Sequence, residues 1–179
     1  MRVVRLRPRY PRGSFIVDLP STLWVLLILI TFPLLDLATV SLRYTFLVAS
    51  ARDAAHEAAR AKSFLSNSSS SDLSSTNMAV QQANQTAAGF SGIQINNVNT
   101  SIVISNLATG TVSKQSTPLT QAPDTSQNLY LIEVVVAGQA NPLIQYSGVF
   151  FGNIPGLTQP MNVTVASQEM CENPQGLTQ

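Results

Sequence analysis

The hydrophobic positions of the chain follow different periods in its first and second halves. Residues 19–35 form a mostly apolar run that contains no charged side chain. A helix needs about 20 mostly apolar residues to cross the roughly 30 Å hydrocarbon core of a bilayer. With residues 15–17 at one end and 37–38 at the other, the run reaches that length. The rest of the chain is too short and too polar to bury such a helix, so we predict one membrane span.

Beyond the span, the apolar period becomes that of a helix with one buried face. The face is formed by Leu37, Val40, Tyr44, Leu47, Val48, Ala51, Ala55, Ala58 and Leu65. We therefore predict a single helix from Pro20 to Phe64, about 65–70 Å long at 1.5 Å per residue. Its alanine-rich part offers helix-packing positions, although the strong helix propensity of alanine also explains this composition. The candidate packing residues are Ala51, Ala55, Ala58 and Ala59.

The second half of the chain reads as a small α+β domain. Serine-rich residues 66–76 predict a linker, because they contain too little apolar surface to bury. A short helix is predicted over Met78–Ala88, and loops over 110–124 and 152–160. Alternating or continuous apolar residues predict strands at 93–95, 101–105, 130–137 and 161–166. Residues 142–151 remain open as a short helix or an apolar loop.

These elements define a domain order and a fold class. We expect a basic cytoplasmic leader over 1–13, a transmembrane and extended helix over 14–65, the linker over 66–76, and an exterior α+β domain over 77–179. The expected fold is a long N-terminal transmembrane helix that continues outside the membrane, followed by a small antiparallel β-sheet head.

Charge distribution predicts the orientation of the span. Ten Lys and Arg nearly balance nine Asp and Glu, so net charge identifies no partner. The segment before the span, however, carries basic residues and no acid: Arg2, Arg5, Arg7, Arg9 and Arg12. The positive-inside rule then places the N-terminus in the cytoplasm and the domain after about Tyr44 in the periplasm or outside the cell. Because these arginines adjoin a span, topology is a better explanation for them than nucleic-acid binding.

A removable signal peptide is the alternative to a permanent anchor. Residues 49–51 read Ala-Ser-Ala, which has the form of a signal-peptidase site. This site lies well beyond Leu35 and inside the predicted continuing helix. We therefore expect the helix to remain as a single-pass anchor in the inner, or cytoplasmic, membrane, with the lipid bilayer as its first partner.

The chemistry-bearing residues predict no enzyme. The single histidine, His56, lies on the polar face of the alanine-rich helix, where a solvated or packing role is favoured over that of a base. The single cysteine, Cys171, excludes an intramolecular disulfide and leaves an idle thiol or a bond to another chain. We find no metal-ligand set, phosphate loop or nucleophile elbow, and we expect no cofactor and no small-molecule substrate.

Several motifs resemble those of a known family. Arg12-Gly13 is followed by a short apolar stretch, by Asp18 five residues after the glycine, by the span, and by SARDAAHEAARAKSF. The C-terminal end has a valine-rich strand, a Pro-Leu turn and MNVTVASQEMCENP. Together these resemble the TadE- and TadG-like pilus-assembly proteins, which are pilin-like components of the Tad system (type IVc, or Flp, pili). The resemblance implies a pilin-like fold, and partners among pilin-like or pilus-machine subunits.

The resemblance also implies roles for three N-terminal residues. In cleaved members, a prepilin peptidase would cut between Gly13 and Ser14, which makes Asp18 the fifth mature residue. That acid would then neutralise the N-terminal amine of a neighbouring subunit. Asp18 also fits a simpler role, as a carboxylate near the positive end of the helix dipole. Aspartate in place of glutamate, Ser14 in place of phenylalanine, and the nearby Pro20 depart from the family pattern, and many TadG-like members stay uncleaved.

The expected function is a non-enzymatic, membrane-anchored pseudopilin or minor pilin of a pilus or secretion assembly. The alternative is a single-pass, membrane-tethered binding or adhesion module that never enters a pilus. The two differ in whether the helix docks with other subunits.

Overall fold

The structure, a computed structural model, describes residues 14–65, 73–145 and 152–179. In these ranges the chain forms two α-helices, four strands and a C-terminal 3₁₀ helix. They are α1 (Ser14–Ala59), α2 (Ser75–Ala88), β1 (Ile93–Asn106), β2 (Val112–Gln115), β3 (Asn128–Ala140), β4 (Met161–Met170) and the 3₁₀ helix Pro174–Thr178. One long apolar helix with a small antiparallel sheet confirms the predicted α+β class.

The long helix α1 is continuous over 46 residues, through both Pro20 and Pro33. At 1.5 Å per residue its length is about 69 Å. It begins before the predicted Pro20 and ends at Ala59, short of the predicted Phe64. The N–H groups of Arg60 and Ala61 bond to carbonyls three residues back, each at 3.3 Å, and the chain then turns away. The described part contains one helix that is long and apolar enough to cross a membrane.

The sheet has the strand order β2-β1-β3-β4, and each neighbouring pair is antiparallel. The valine-rich β3 lies in the interior of the sheet, as its almost continuous apolar run predicts. The two stretches predicted as strands at 93–95 and 101–105 are parts of one strand, β1, with a register shift between Ile95 and Asn97. The prediction of a loop over 110–124 was wrong at β2, a four-residue strand whose sequence, VSKQ, shows no apolar alternation.

The second half of α1 packs on one face of the sheet. Alanines Ala51, Ala54, Ala55, Ala58 and Ala59 are fully or almost fully buried. They share a core with Ile102 of β1, with Ile132, Val134 and Val136 of β3, and with Ala79 and Ala83 of α2. Small side chains let the helix approach its neighbours closely. The four candidate packing alanines therefore lie inside this protein's own head.

The start of α2 corrects the predicted linker. The helix begins at Ser75, with Ser74 as its N-cap, rather than at Met78. The Ser74 side chain accepts the Asn77 N–H, and the buried Ser75 hydroxyl donates to the Ala58 carbonyl at 2.8 Å. The last residues of the predicted linker thus belong to the ordered head, while residues 66–72 lie outside the described ranges. Gly89 ends α2 as predicted.

The C-terminal segment closes the core beside the last turn of α1. The N–H groups of Phe64 and Leu65 both donate to the Gln179 carbonyl, at 2.9 and 3.0 Å. Leu177 and Phe64 are buried in the same core. Gly176 lies so close to the Lys62 carbonyl that any larger residue would force the backbone apart. We call this end of the head, near Ala59, the far end, and the end beside Asp36 and Arg43 the near end.

Candidate functional site

The near end of the head is joined to α1 by two charged side chains. Asp36 and Arg43 are seven residues apart, about two turns of helix, and therefore lie on the same face. Both reach backbone groups of the turn that follows β3, and Arg43 also reaches the turn that precedes β1. We call Asp36, Arg43 and the turns at 91–92 and 141–144 the junction.

Asp36 is completely buried, although its carboxylate follows directly after the uncharged run. Its Oδ1 accepts the N–H groups of Leu143, at 3.0 Å, and Ile144, at 2.9 Å. Its Oδ2 has no hydrogen-bond partner among the described residues. This pair of hydrogen bonds holds the turn against the helix, because either backbone N–H would be left unsatisfied without its acceptor.

Arg43 binds the same end of the head through carbonyl oxygens. Its Nε donates to the Ser91 carbonyl at 3.0 Å, and its Nη1 donates to the Asn141 carbonyl. Gly92 has φ +80°, and a Cβ at this position would overlap the Arg43 guanidinium. The Asn141 N–H donates to the Gly92 carbonyl at 2.9 Å, which ties the two turns to each other. The junction is therefore one connected set of bonds between helix and head.

An apolar groove of about 380 Å³ opens beside the junction, between α1 and the loop before β4. It lies against Val40, the residue one helical turn after Asp36, and faces the start of β4. The polar groups among its lining side chains are hydroxyls, so the groove suits apolar contact rather than acid–base chemistry. It is lined by Leu37, Val40, Ser41, Tyr44, Thr45, Pro155, Gly156 and Met161.

Sequence reasoning missed the junction for a physical reason. The partners of Asp36 are backbone N–H groups 107 and 108 residues further along the chain. Backbone donors leave no side-chain signature, so no motif announces them. The available signal was a lone acid, Asp36, at the end of an uncharged run, where a carboxylate is costly unless it is bonded.

The predicted N-terminal site residues fall at the edge of the described structure. Gly13 lies outside the described residues. Ser14 begins α1 and Asp18 lies within it, but their side chains are outside the described part. Cleavage after Gly13 and an assembly role for Asp18 therefore stay predictions.

The two single chemistry-bearing residues, His56 and Cys171, take no part in the junction. His56 is exposed on the surface of α1. Cys171 is buried, and this burial raises the pKa of its thiol above the usual value. In the described ranges no three His, Cys, Asp or Glu residues come together in a group that could hold a metal ion.

Comparison with known proteins adds no relative: no protein-family model, curated protein or solved structure matches the chain. The likeness to the Tad proteins therefore stands on the quoted motifs.

Proposed function

We propose that the protein is a membrane-anchored, pilin-like component of a Tad/Flp-type pilus or secretion assembly, and that it is not an enzyme. The observation that carries this proposal is the division of α1 into two halves. The first half exposes large apolar side chains, and the second half forms the core of the head. In the proposed orientation the N-terminus is cytoplasmic and the head is periplasmic or extracellular.

This division limits where other subunits dock. The alanine face is already covered by the sheet and α2, so it is closed to a second chain. Contacts with other pilin-like subunits would fall on the exposed apolar surface between Leu19 and Leu35, or on the outside of the head. A bundle of such helices would pack by close van der Waals contact within the membrane.

Cross-linking in the membrane tests this docking. Leu23 and Ile30 are exposed on α1, and each is replaced by cysteine in a Cys171→Ser background. Each cysteine is labelled with a photoactivatable maleimide in membranes from cells that carry the whole assembly. On irradiation, we expect cross-links to other subunits from positions 23 and 30, with none from Leu107→Cys at the far end of the head. Absence of cross-links from both Leu23→Cys and Ile30→Cys would contradict docking through the apolar half of α1.

Mass spectrometry of the N-terminus tests the processed form separately. Cleavage between Gly13 and Ser14 would leave Ser14 as the first residue and Asp18 as the fifth. We expect that mature species in membranes that contain a prepilin peptidase, and the uncut chain where the peptidase is deleted. An intact Met1 in both strains would rule out processing but not the anchored subunit.

A second candidate function is a membrane-tethered binding or adhesion module. It is favoured by a second cavity of about 380 Å³ at β1 and β2, beside the Lys114–Glu133 ion pair. The ion pair is 2.6 Å long, and the cavity is lined mainly by polar side chains: Asn99, Thr100, Ser101, Lys114, Ser116 and Val135. Isolation of the protein from membranes without any pilus subunit, but with a bound ligand at this cavity, would favour the module.

A further inference from the structure

We propose that the near end of the head is itself a membrane-contact surface, which rests in the interface of the bilayer that α1 crosses. We call this surface the foot and define it by Leu143, Ile144, Ile154 and Met161. The inference depends on the membrane span in the proposed function but not on assembly into a pilus.

The depth of the foot follows from the junction. The uncharged run of residues 19–35 is about 26 Å long as a helix, close to the roughly 30 Å of a hydrocarbon core. Asp36 is the next residue, so it lies near the boundary between hydrocarbon and headgroups. Because its Oδ1 bonds the N–H groups of Leu143 and Ile144, their turn lies at the same depth.

The side chains at this depth are apolar and exposed. Leu143 is 58% exposed, Ile144 40%, Ile154 44% and Met161 37%. Met161 is the register partner of Ala140, directly before the turn, and it lines the apolar groove with Leu37 of α1. Apolar surface gains about 25 cal/mol for each Å² removed from water. Insertion into the interface would remove this surface from water without any partner protein.

The charge pattern of the head points to lipid as the occupant. Residues 134–168, which include all four residues of the foot, contain no Asp, Glu, Lys, Arg or His. The two charged groups at the near end, Asp36 and Arg43, are engaged with backbone atoms. Several charged side chains lie instead towards the far end: Glu57, Arg60, Lys62, Asp124 and Glu172. Since charges are costly near hydrocarbon, this segregation fits a head with one end in lipid.

Depth-dependent fluorescence quenching tests the foot. The full chain, with Cys171→Ser, receives one cysteine, is labelled with an environment-sensitive dye, and is placed in phosphatidylcholine vesicles that contain spin-labelled lipid. The test site is Leu143→Cys. The matched control is Leu107→Cys, which is similarly exposed at 64% but lies past the other end of β1, about 45 Å away at 3.4 Å per residue. Leu26→Cys, in the span, is the positive control.

We expect the dye at position 143 to shift to shorter wavelength and to lose most of its fluorescence, as the dye at position 26 does. The dye at position 107 should keep its fluorescence. If position 143 behaves like position 107 while position 26 is quenched, the foot is overturned and the anchor stands. If position 26 is also unquenched, the span is wrong, and the foot is overturned with it.

A second label site separates insertion from local damage. Ile154→Cys lies further along the same β3–β4 connection and makes no side-chain contact with Asp36 among the described hydrogen bonds. Quenching at 154 as well as at 143 supports the foot. Quenching at 143 alone would show that the label had released the turn from Asp36, and it would overturn the proposal.

Discussion

Asp36 shows how one side chain joins the apolar half of α1 to the head. An isolated carboxylate is costly in an apolar setting, and hydrogen bonds to it offset that cost. Here two backbone N–H groups bind the same oxygen, and neither belongs to α1. The residue therefore fixes the position of a turn rather than supplying chemistry.

Replacement of Asp36 by alanine should loosen the turn at 143–144. Two backbone donors would lose their acceptor, at about 1–3 kcal/mol for each one left unsatisfied. We expect faster hydrogen exchange at the Leu143 and Ile144 amides, while the amides of central β3 keep their rates. Asp36→Asn retains an acceptor oxygen, so hydrogen exchange at these two amides should increase less than in Asp36→Ala. Asp53→Ala, an exposed site on the same helix, is the control, and equal exchange in all three variants would contradict the role given to Asp36.

Cys171 should be a poorly reactive thiol. Burial raises its pKa, so the folded protein holds the thiol proton to higher pH than the unfolded chain does. Stability should therefore fall as pH rises through the ordinary pKa of a thiol, because ionisation then favours unfolding. We expect iodoacetamide to label Cys171 much more slowly in the native protein than in urea, as measured by mass spectrometry. Cys171→Ser should remove the alkaline loss of stability, and fast native labelling would argue against burial.

At the scale of elements, α1 carries two different surfaces along one continuous helix. Large apolar residues before Asp36 are exposed, whereas small residues from Ala51 to Ala59 are buried against sheet and α2. The change from leucine to alanine along the helix matches these two roles. Lipid accommodates large side chains, while a close-packed protein core admits only the volume that fits.

Enlargement of an alanine should therefore be harmful only in the second half of α1. Ala55→Leu inserts three carbon atoms into a fully buried site, and overpacking typically costs about 1–3 kcal/mol. We expect the head to unfold at a lower urea concentration in detergent. The unfolding midpoint is measured by the loss of resistance to protease. Ala38→Leu makes the same change at an exposed position of the same helix and should be almost neutral. Equal midpoints would mean that the alanine face is loosely packed.

Pattern reasoning found the elements with strong periods and missed those with weak ones. The apolar run of β3 and the spacing in α1 were sufficient to predict both elements. The strand β2 was missed because its pairing with β1, not its own side chains, creates it. The beginning of α2 was placed late because the hydrogen bond from Ser75 to the Ala58 carbonyl joins it to a chain segment that comes before the linker.

At the scale of the whole molecule, the described residues form one long helix, α1, whose first half is apolar and exposed and whose second half carries the sheet. The apolar half of α1 is long enough to span a bilayer, and five of the ten Lys and Arg residues lie before it. The sheet of the head packs along the second half of α1.

The orientation should depend on the N-terminal arginines. Replacement of Arg2, Arg5, Arg7, Arg9 and Arg12 by serine removes the positive-inside signal, so part of the population should insert in reverse. The measurement is labelling of Leu107→Cys, in the Cys171→Ser background, by a membrane-impermeant maleimide added outside spheroplasts. We expect labelling to fall when the arginines are removed. Lys114→Ser, which removes one positive charge from the head, is the control. If labelling does not fall when the arginines are replaced, the N-terminal charges do not determine the topology.

The sequence by itself determined the long helix, its apolar half, the α+β class and the central strand. These features depend on the local composition of the chain and on the spacing of neighbouring hydrophobic residues, both of which can be read from the sequence. Only the tertiary structure decided that the alanine face is covered by the protein's own head, that Asp36 and Arg43 hold the near end, and that apolar residues of the β3–β4 connection lie beside the end of the uncharged run. Those features join backbone groups and surfaces far apart in the chain, and no local pattern encodes where a distant carbonyl or N–H will lie.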